Sequence, residues 1–222
     1  VIPQPDVYAS MLADVLTRAR IPFKLHPSLP LATGRVARSL LLLLGAREFD
    51  RGALLEFLTF APLPLAAKSG DPEPPHPSAF DQLTRDLKVV SGVDRFLKAI
   101  DHLLALPHVR PERLKTARAL RTLVTSLRES LAFTEERLPL DQWATRLVSL
   151  CQDWIAPTTP AEEAERQLVL ETLEELGALA SVSAAVSFDR VLSVIEAQLD
   201  RKRRPLEERS RVGVHIGSPD AP

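Results

Sequence analysis

Proline divides this chain into segments of helical length, and this division limits the fold more than any other feature. Between the breaks, apolar residues recur three and four positions apart, which is the pattern of a helix with one buried face. The clearest stripe runs from about Pro5 to Arg20 and consists of Tyr8, Met11, Leu12, Val15, Leu16 and Ala19. Five prolines stand at the breaks or in first turns that tolerate them: Pro107, Pro111, Pro139, Pro157 and Pro160. The sequence therefore predicts a mainly α fold, a multi-helix bundle.

The helical pattern continues through most of the remaining chain. Predicted helices cover about 34–44, 50–59, 78–90, 93–106, 111–136, 139–156, 159–180 and 187–203. In the segment 111–136 the apolar stripe is Leu114, Leu120, Val124, Leu127 and Leu131. In the last helix it is Phe188, Val191, Leu192, Ile195 and Leu199. We expect both stripes to face the core.

Short β-like runs lie near the two ends of the chain. "FKL" follows Pro22, and "VGVHIG" begins at Val212. With helices everywhere between them, the two runs have only each other to pair with, and an isolated pair of strands is marginal in water. We therefore predict that Phe23–Leu25 and Val214–Ile216 lie close together and belong to a larger sheet.

Residues 61–78, "APLPLAAKSGDPEPPHPS", interrupt the helical pattern with six prolines. Proline lacks a backbone N–H and cannot continue a helix or a central strand. We expect this segment to be an irregular, exposed loop of high mobility that does not pack on the core.

Charge and cysteine content exclude several classes of protein. The formal net charge of −1 argues against a histone-like electrostatic binder, although a local basic patch remains open. The single cysteine cannot form an internal disulfide and suits a reducing compartment. The longest apolar run, Leu40–Leu44, is far shorter than the roughly 18 residues of a membrane span. We expect a cytoplasmic protein without a membrane partner.

The sequence carries no motif for catalysis or cofactor binding. Its eight glycines are scattered, and it contains no G-x-x-x-x-G-K-[ST], G-x-S-x-G, H-E-x-x-H or C-x-x-C. We therefore expect no cofactor, no small-molecule substrate and no enzymatic activity in this fragment.

Three weaker signals are better explained by structure than by chemistry. His102 and His108 flank Pro107, which is poor spacing for two metal ligands, so no metal site is predicted. Cys151 shares a helical face with leucines and Trp154 and is expected to be a small buried hydrophobe, not a reactive thiol. Asp200 and Lys202 have the D-x-K spacing of some nucleases, but they lie in a predicted helix and not on a strand.

Two groups of basic residues are candidates for contact with nucleic acid. One lies at the end of the last helix, and its members are Arg201, Lys202, Arg203 and Arg204. The other lies along the predicted 111–136 helix, and its members are Lys115, Arg118, Arg121 and Arg128. A solvated helix face is the alternative explanation for both. The 159–180 helix carries six glutamates and would repel a phosphate backbone, so it should face away from any bound DNA.

The first sixty residues resemble a segment of the UvrD/RecB-type superfamily 1 helicases. The stretches "VIPQPDVYASMLADVLTRARIPFKLHPSLPLA", "GRVARSLLLLL" and "FDRGALLEFLT" are most similar to the AddB-type helicase–nuclease subunits of bacterial double-strand-break repair. The matching positions are Tyr8, Leu12, Leu16, Ile21, Pro22, Phe23, Leu31, Arg38, Leu40, Leu41, Phe49, Asp50, Arg51 and Leu55. Arg20 stands where the family has a glycine before Ile-Pro.

The C-terminal "GVHIGSPDAP" resembles the start of the family's strand motif that couples DNA to nucleotide, with departures. Gly217, Pro219 and Pro222 stand where the motif has threonine, histidine and lysine. Pro3 stands roughly where active helicases have an arginine. The resemblance therefore implies a helicase-like subunit with degraded motor motifs.

This resemblance divides the chain into three parts. Residues 1–32 would be the edge of a RecA-like domain, residues 33–204 a helical insertion like subdomain 2B, and residues 205–222 the returning segment with a short strand. In the family such an insertion does not hydrolyse ATP; it flanks duplex DNA or packs on a partner helicase–nuclease subunit and swings about its connections, here near Ala32–Gly34 and Arg204–Glu208. The implied function is a non-catalytic module in DNA double-strand-break repair and recombination, with DNA and a partner subunit as its partners.

A helical protein–protein interaction domain without a nucleic-acid role is the alternative. It would carry a large exposed apolar patch, whereas a DNA-guiding module would carry a basic surface.

Overall fold

Nine α-helices make up most of the part of the chain that the computed structural model describes, which is residues 15, 18–19, 23–25, 29–178, 185–204 and 214–216. The helices are α1 (Arg35–Gly45), α2 (Arg51–Phe60), α3 (Leu65–Ser69), α4 (Pro77–Asp86), α5 (Val93–Ala105), α6 (Pro111–Leu131), α7 (Leu140–Trp154), α8 (Pro160–Ala178) and α9 (Phe188–Arg201). Short 3₁₀ turns precede α1, follow α1 and follow α6. The mainly α fold is confirmed. The predicted helix Pro5–Arg20 lies outside the described residues, apart from three positions.

The predicted apolar stripes face the core. On α6, Leu120, Val124, Leu127 and Leu131 are buried, while Leu114 is half-buried. On α9, the buried members of the stripe are Phe188, Val191, Ile195 and Leu199. Two tryptophans join the helices: Trp143 stacks against Phe133 and Phe188 at ring distances of 5.5 and 6.0 Å, and Trp154 lies 6.2 Å from Phe57.

Helix boundaries follow local chemistry. α2 begins at Asp50, whose side chain accepts a hydrogen bond from the Ala53 N–H. α6 begins with Pro111 in its first turn, where the missing N–H costs nothing. α4 ends at Asp86, four residues earlier than predicted, because Lys88 adopts a positive φ of 54° and the Val89 N–H turns back to the Thr84 carbonyl.

Strands from opposite ends of the chain pair, as predicted. β1 (Phe23–Leu25) lies parallel to β4 (Val214–Ile216), with Phe23 opposite Val214 and Leu25 opposite Ile216. Parallel neighbours require a crossover connection, and here the crossover contains every described helix from α1 to α9. We call residues 31–202 the helical lobe.

A second pair of strands joins the entry and exit of the lobe. β2 (Leu29–Pro30) is antiparallel to β3 (Arg203–Arg204), and the Leu31 N–H donates to the Lys202 carbonyl at 2.7 Å. Beside them, Lys202 Nζ lies 2.8 Å from Glu175 Oε1 of α8. We call residues 29–31 and 202–204 the neck. The two chain segments are therefore hydrogen-bonded to each other at the base of the lobe. The connections near Ala32–Gly34 and Arg204–Glu208 stay a prediction, and residues 205–208 lie outside the described part of the chain.

A buried carboxylate positions the first helix after the neck. Glu165 of α8 is 5% exposed, and its Oε1 accepts a hydrogen bond from the Ala37 N–H in the first turn of α1 at 3.0 Å. The helix dipole also favours a negative charge at this end. A Cβ on Gly34, the N-cap of α1, would lie 2.0 Å from this Oε1. A side chain at position 34 would therefore displace the carboxylate that caps the helix.

A second glutamate of α8 fixes the same end of α1. Glu162 Oε1 lies 2.8 Å from Arg35 Nη1, and its Oε2 accepts hydrogen bonds from the Thr158 N–H and Oγ1. Burial raises the pKa of Glu162, but the Thr158 and Arg35 contacts outweigh it and hold that pKa below the ordinary value. The carboxylate therefore remains charged as pH falls below the usual range of a glutamate.

The prediction of an unpacked loop over residues 61–78 is wrong for its first half. This part contains α3, and Ala61 and Ser69 are buried. The Ala156 N–H donates to the Pro62 carbonyl at 2.7 Å, and Lys68 Nζ lies 4.6 Å from the Trp154 ring centroid. Proline prevented a long helix but not packing, because Leu63 and Leu65 between the prolines reach the core. Residues 70–76 are irregular, as predicted.

Gly34→Ala should lower the free energy of unfolding by about 1–3 kcal/mol, because the Glu165 carboxylate must move and leave the buried Ala37 N–H unsatisfied. Gly45→Ala is the matched control: its Cβ meets no atom within 4 Å, so helix propensity should make it neutral or stabilising by up to about 1 kcal/mol. Urea unfolding of the two variants measures the difference. Equal stability of both would contradict the role given to Glu165.

Lys202→Glu should lower the free energy of unfolding by about 0.5–1 kcal/mol, because it places a carboxylate beside Glu175 at the neck. The charge-swapped double variant Lys202→Glu/Glu175→Lys should recover most of this loss. Thermal or urea unfolding of four proteins forms a double-mutant cycle: the unaltered protein, Lys202→Glu, Glu175→Lys and the double variant. A coupling free energy below about 0.3 kcal/mol would show that the pair does not stabilise the neck.

Candidate nucleic-acid interface

Three of the four basic residues predicted on the long helix are paired with aspartates. Lys115 Nζ lies 3.3 Å from Asp71 Oδ2, Arg121 Nε lies 2.6 Å from Asp101 Oδ1, and Arg128 Nη1 lies 3.3 Å from Asp94 Oδ1. These basic side chains are about half exposed, so solvent screens each pair and its contribution to stability is small. Their charges are largely balanced within the fold.

Two of these pairs join α5 to α6 along one line, which we call the seam. The early Asp94 of α5 meets the late Arg128 of α6, and the later Asp101 meets the earlier Arg121, so the two helices run antiparallel. The hydrogen bond from Arg121 to Asp101, with the charge of the aspartate, raises the pKa of Arg121 further above its ordinary value. The seam therefore holds a hairpin of two helices with a fixed outer face.

Beside the seam lie cations without a carboxylate partner. Within the described part of the chain, no acidic oxygen lies within 4.0 Å of the side-chain nitrogens of Arg95, Lys98 or Arg118. All three residues are exposed, as is His102. We call Arg95, Lys98, His102 and Arg118 the basic ridge.

Sequence reasoning identified Arg118 but missed the three ridge residues of α5. Their spacing is the signal that could have found them. Arg95, Lys98 and His102 are three and four positions apart, which places them on one face of the predicted 93–106 helix. Asp94 and Asp101 lie on the same helix and balance this charge in the sequence, whereas in the structure both aspartates pair with arginines of α6.

Charge is divided unevenly between the helices. Residues 93–131 carry twice as many basic as acidic residues: Arg95, Lys98, Arg110, Arg113, Lys115, Arg118, Arg121 and Arg128 against Asp94, Asp101, Glu112 and Glu129. The helices α7–α9 carry nearly three times as many acidic as basic residues: Asp141, Asp153, Glu162, Glu163, Glu165, Glu171, Glu174, Glu175, Asp189, Glu196 and Asp200 against Arg146, Arg166, Arg190 and Arg201. A polyanion is therefore attracted to the α5–α6 hairpin and repelled by α7–α9.

The second predicted group of basic residues lies in the neck and at its edge. Arg201 is exposed at the end of α9, Lys202 is paired with Glu175, and Arg203 and Arg204 form β3. The acidic helix α8 was expected to face away from any DNA contact, yet its Glu175 touches this group. The position makes the group better suited to joining chain segments than to binding phosphate.

An open groove lies between α4 and the start of α6. Its volume is about 850 Å³, and its walls include Leu83, Leu103, Leu106 and Val109. Asp86 and Arg113, which form a 3.1 Å ion pair, stand at its polar side. Leu106 is 44% exposed, which is unusual among the large apolar residues of the described chain. The groove combines an apolar surface with charged neighbours.

The lone cysteine is buried. Cys151 is fully enclosed by the core, and burial raises the pKa of its thiol to about 12, despite the opposing charge of Arg166. The thiol is therefore protonated at neutral pH and cannot act as a nucleophile, so the predicted buried hydrophobe is confirmed.

The two histidines considered as metal ligands, His102 and His108, are both exposed. Within residues 29–178 and 185–204 and the shorter described pieces, no three His, Cys, Asp or Glu side chains converge on a common point. In the same residues, no helix is both long and apolar enough to cross a membrane.

Comparison with known proteins identifies the family. A comparison with curated proteins gives no match. The family model for the fourth domain of RecC, a subunit of the RecBCD enzyme, matches residues 89–203, slightly more than half of the chain. The match begins just before α5 and ends in β3, so it includes both the basic hairpin and the acidic helices. This chain belongs to the RecC fourth-domain family.

Proposed function

We propose that this chain is a non-catalytic helical module of a helicase-like subunit in a RecBCD-related helicase–nuclease complex. In this proposal it acts in DNA double-strand-break repair and recombination, in the cytoplasm, by guiding duplex DNA or by packing on a partner subunit. The observation that carries the proposal is the pairing of β1 with β4 across the whole helical lobe, in a chain of the RecC fourth-domain family.

The parallel pair supports an insertion into a larger sheet. Parallel strands occur almost only in sheets covered on both faces, and three residues per strand cannot form such a sheet alone. A parent RecA-like domain that supplies the remaining strands would complete it. Residues 1–32 and 205–222 would then be its edges, and residues 33–204 the insertion like subdomain 2B.

The identity of the parent subunit can be proposed at two levels. A RecBCD-related subunit is supported by the family match over 89–203. An AddB-type subunit is supported by the resemblance of the first sixty residues, which lie outside that match. The match names a RecC domain, so the AddB-type assignment stays a prediction.

A role without chemistry fits the surroundings of the titratable groups. The Cys151 thiol is inert, and the acidic residues with lowered pKa, Glu162 and Glu163, accept hydrogen bonds from Arg35, Thr158 and Arg166 instead of lining an open site. The lobe would therefore contribute shape and charge while other parts of the complex carry out catalysis.

Replacing residues 32–201 of the full-length protein with a flexible linker of about five residues tests the proposal, since the Leu31 N–H and the Lys202 carbonyl are 2.7 Å apart. The assembled complex should keep its ATP hydrolysis on single-stranded DNA. Its affinity for duplex DNA or for its partner subunit should fall at least about tenfold.

The control is the intact protein with the same linker inserted after the exposed Glu73. Loss of ATP hydrolysis by the complex that contains the replaced protein would contradict the proposal, and so would unchanged affinities for both duplex DNA and the partner subunit.

A second function, docking of a partner protein, is favoured by the groove between α4 and α6. Leu106 lines it with 44% exposure, and covering such an apolar side chain with a partner protein removes apolar surface from water. This is the protein–protein interaction alternative, and it requires no contact with nucleic acid.

Leu106→Glu tests this alternative in the full-length protein. If the groove binds the partner subunit, the affinity for that subunit should fall at least about tenfold while duplex affinity is unchanged. Val90→Glu is the matched control, because Val90 is 69% exposed and does not line the groove. Equal partner affinities of the two variants, measured by co-purification and interferometry, would rule out the groove as the contact.

A further inference from the structure

We propose that the outer face of the α5–α6 hairpin binds the phosphate backbone of duplex DNA through the basic ridge. The inference rests on the proposed function and assigns its DNA contact to Arg95, Lys98, His102 and Arg118. It moves the contact away from the C-terminal group Arg201–Arg204 and from the paired cations of α6.

The ridge cations differ from the other basic residues of the hairpin in having no aspartate partner. Lys115, Arg121 and Arg128 each have an aspartate within 3.3 Å, so a phosphate would have to compete with a partner already in place. Arg95, Lys98 and Arg118 have no such competitor among the described residues. Phosphate binding to these free cations gains the entropy of counterion release without breaking an ion pair.

The length and width of the ridge suit the backbone of a DNA duplex. His102 lies seven positions after Arg95 on α5, with Lys98 between them, so these residues extend about 10 Å along the helix at 1.5 Å per residue. That length matches about three base-pair steps of a duplex at 3.4 Å each. Arg118 lies across the seam on the neighbouring helix, so the ridge is two helices wide. Packing of α5 against α6 holds the two helix backbones in place before DNA arrives, which lowers the ordering cost of binding.

The glutamates that would repel DNA lie on helices that do not pack against the ridge. α8 carries six glutamates, and its main packing partners are α7, α1 and α9, not α5 or α6. The hairpin packs mainly within itself and against α3 and α4. A duplex can therefore approach the ridge without first passing the acidic helix. The same division of charge orients the module, because the acidic helices are repelled by the polyanion that the hairpin attracts.

The basic ridge and the groove between α4 and α6 are separate surfaces. The ridge residues do not line the groove between α4 and α6, and that groove has both signs of charge in its wall. A partner protein in the groove and a duplex on the ridge would use different side chains. Substitutions in the two places therefore report on two different partners.

The test compares two double variants of the full-length protein in its complex. Arg95→Glu/Lys98→Glu reverses two ridge charges, and Arg137→Glu/Arg190→Glu reverses two exposed charges elsewhere, so both change the net charge equally. Duplex affinity is measured by fluorescence anisotropy on a blunt 30-base-pair duplex of random sequence over a series of salt concentrations. The ridge variant should bind at least about tenfold more weakly near 0.1 M salt, with a log–log salt slope smaller by about 2, while the control stays within about twofold of the unaltered protein.

Three outcomes would overturn the inference. If both double variants bind as the unaltered protein does, and replacing residues 32–201 with the linker abolishes binding, the ridge is wrong and the proposed function stands. If the two variants weaken binding equally, net charge and not this surface is responsible. If replacing the lobe leaves duplex affinity unchanged, the DNA-guiding function fails, and the ridge fails with it.

Discussion

The contact between Glu165 and the first turn of α1 determines how the lobe begins. A carboxylate that is 5% exposed would be costly unless it were satisfied, and the Ala37 N–H and the dipole of α1 satisfy it. This contact joins residues 128 positions apart and leaves no room for a side chain at Gly34. It lies immediately after the neck, so it sets the direction in which the chain leaves the strands and enters the helices. Glu162 and Arg35 reinforce the same junction.

Sequence patterns predicted the helices well because each helix has a long apolar stripe and a clear local boundary. α6 and α9 bury the leucines, valines and aromatic residues that the periodicity selected, and Pro111 begins α6 as expected. The pairing of β1 with β4 was predicted from the lack of any other partner. These features depend on local chemistry or on simple exclusion, so the sequence contains them.

Features that depend on distant residues could not be read in this way. The six glutamates of 159–180 were treated together as charge that repels DNA, yet Glu165 is buried and accepts a hydrogen bond from the first turn of α1. The proline-rich segment was expected to be unpacked, yet Lys68 reaches Trp154, a residue far along the chain. The basic residues of α6 formed one candidate surface until Asp71, Asp94 and Asp101 neutralised three of them. In each case a tertiary partner reversed what composition implied.

If the lobe is an insertion, as proposed, the neck has a consequence for how the parent domain would fold. Bringing together two strands separated by roughly 170 residues carries a chain-entropy penalty about 3 kcal/mol larger than closing a loop of a few residues. If the lobe forms first, its two ends are already hydrogen-bonded through Leu31 and Lys202. When β1 and β4 pair in the parent sheet, only two short loops would then have to close. One joins β1 to the neck, and the other joins the neck to β4. An insertion with this anchorage can be lengthened or exchanged during evolution with little effect on the registration of the sheet that carries it.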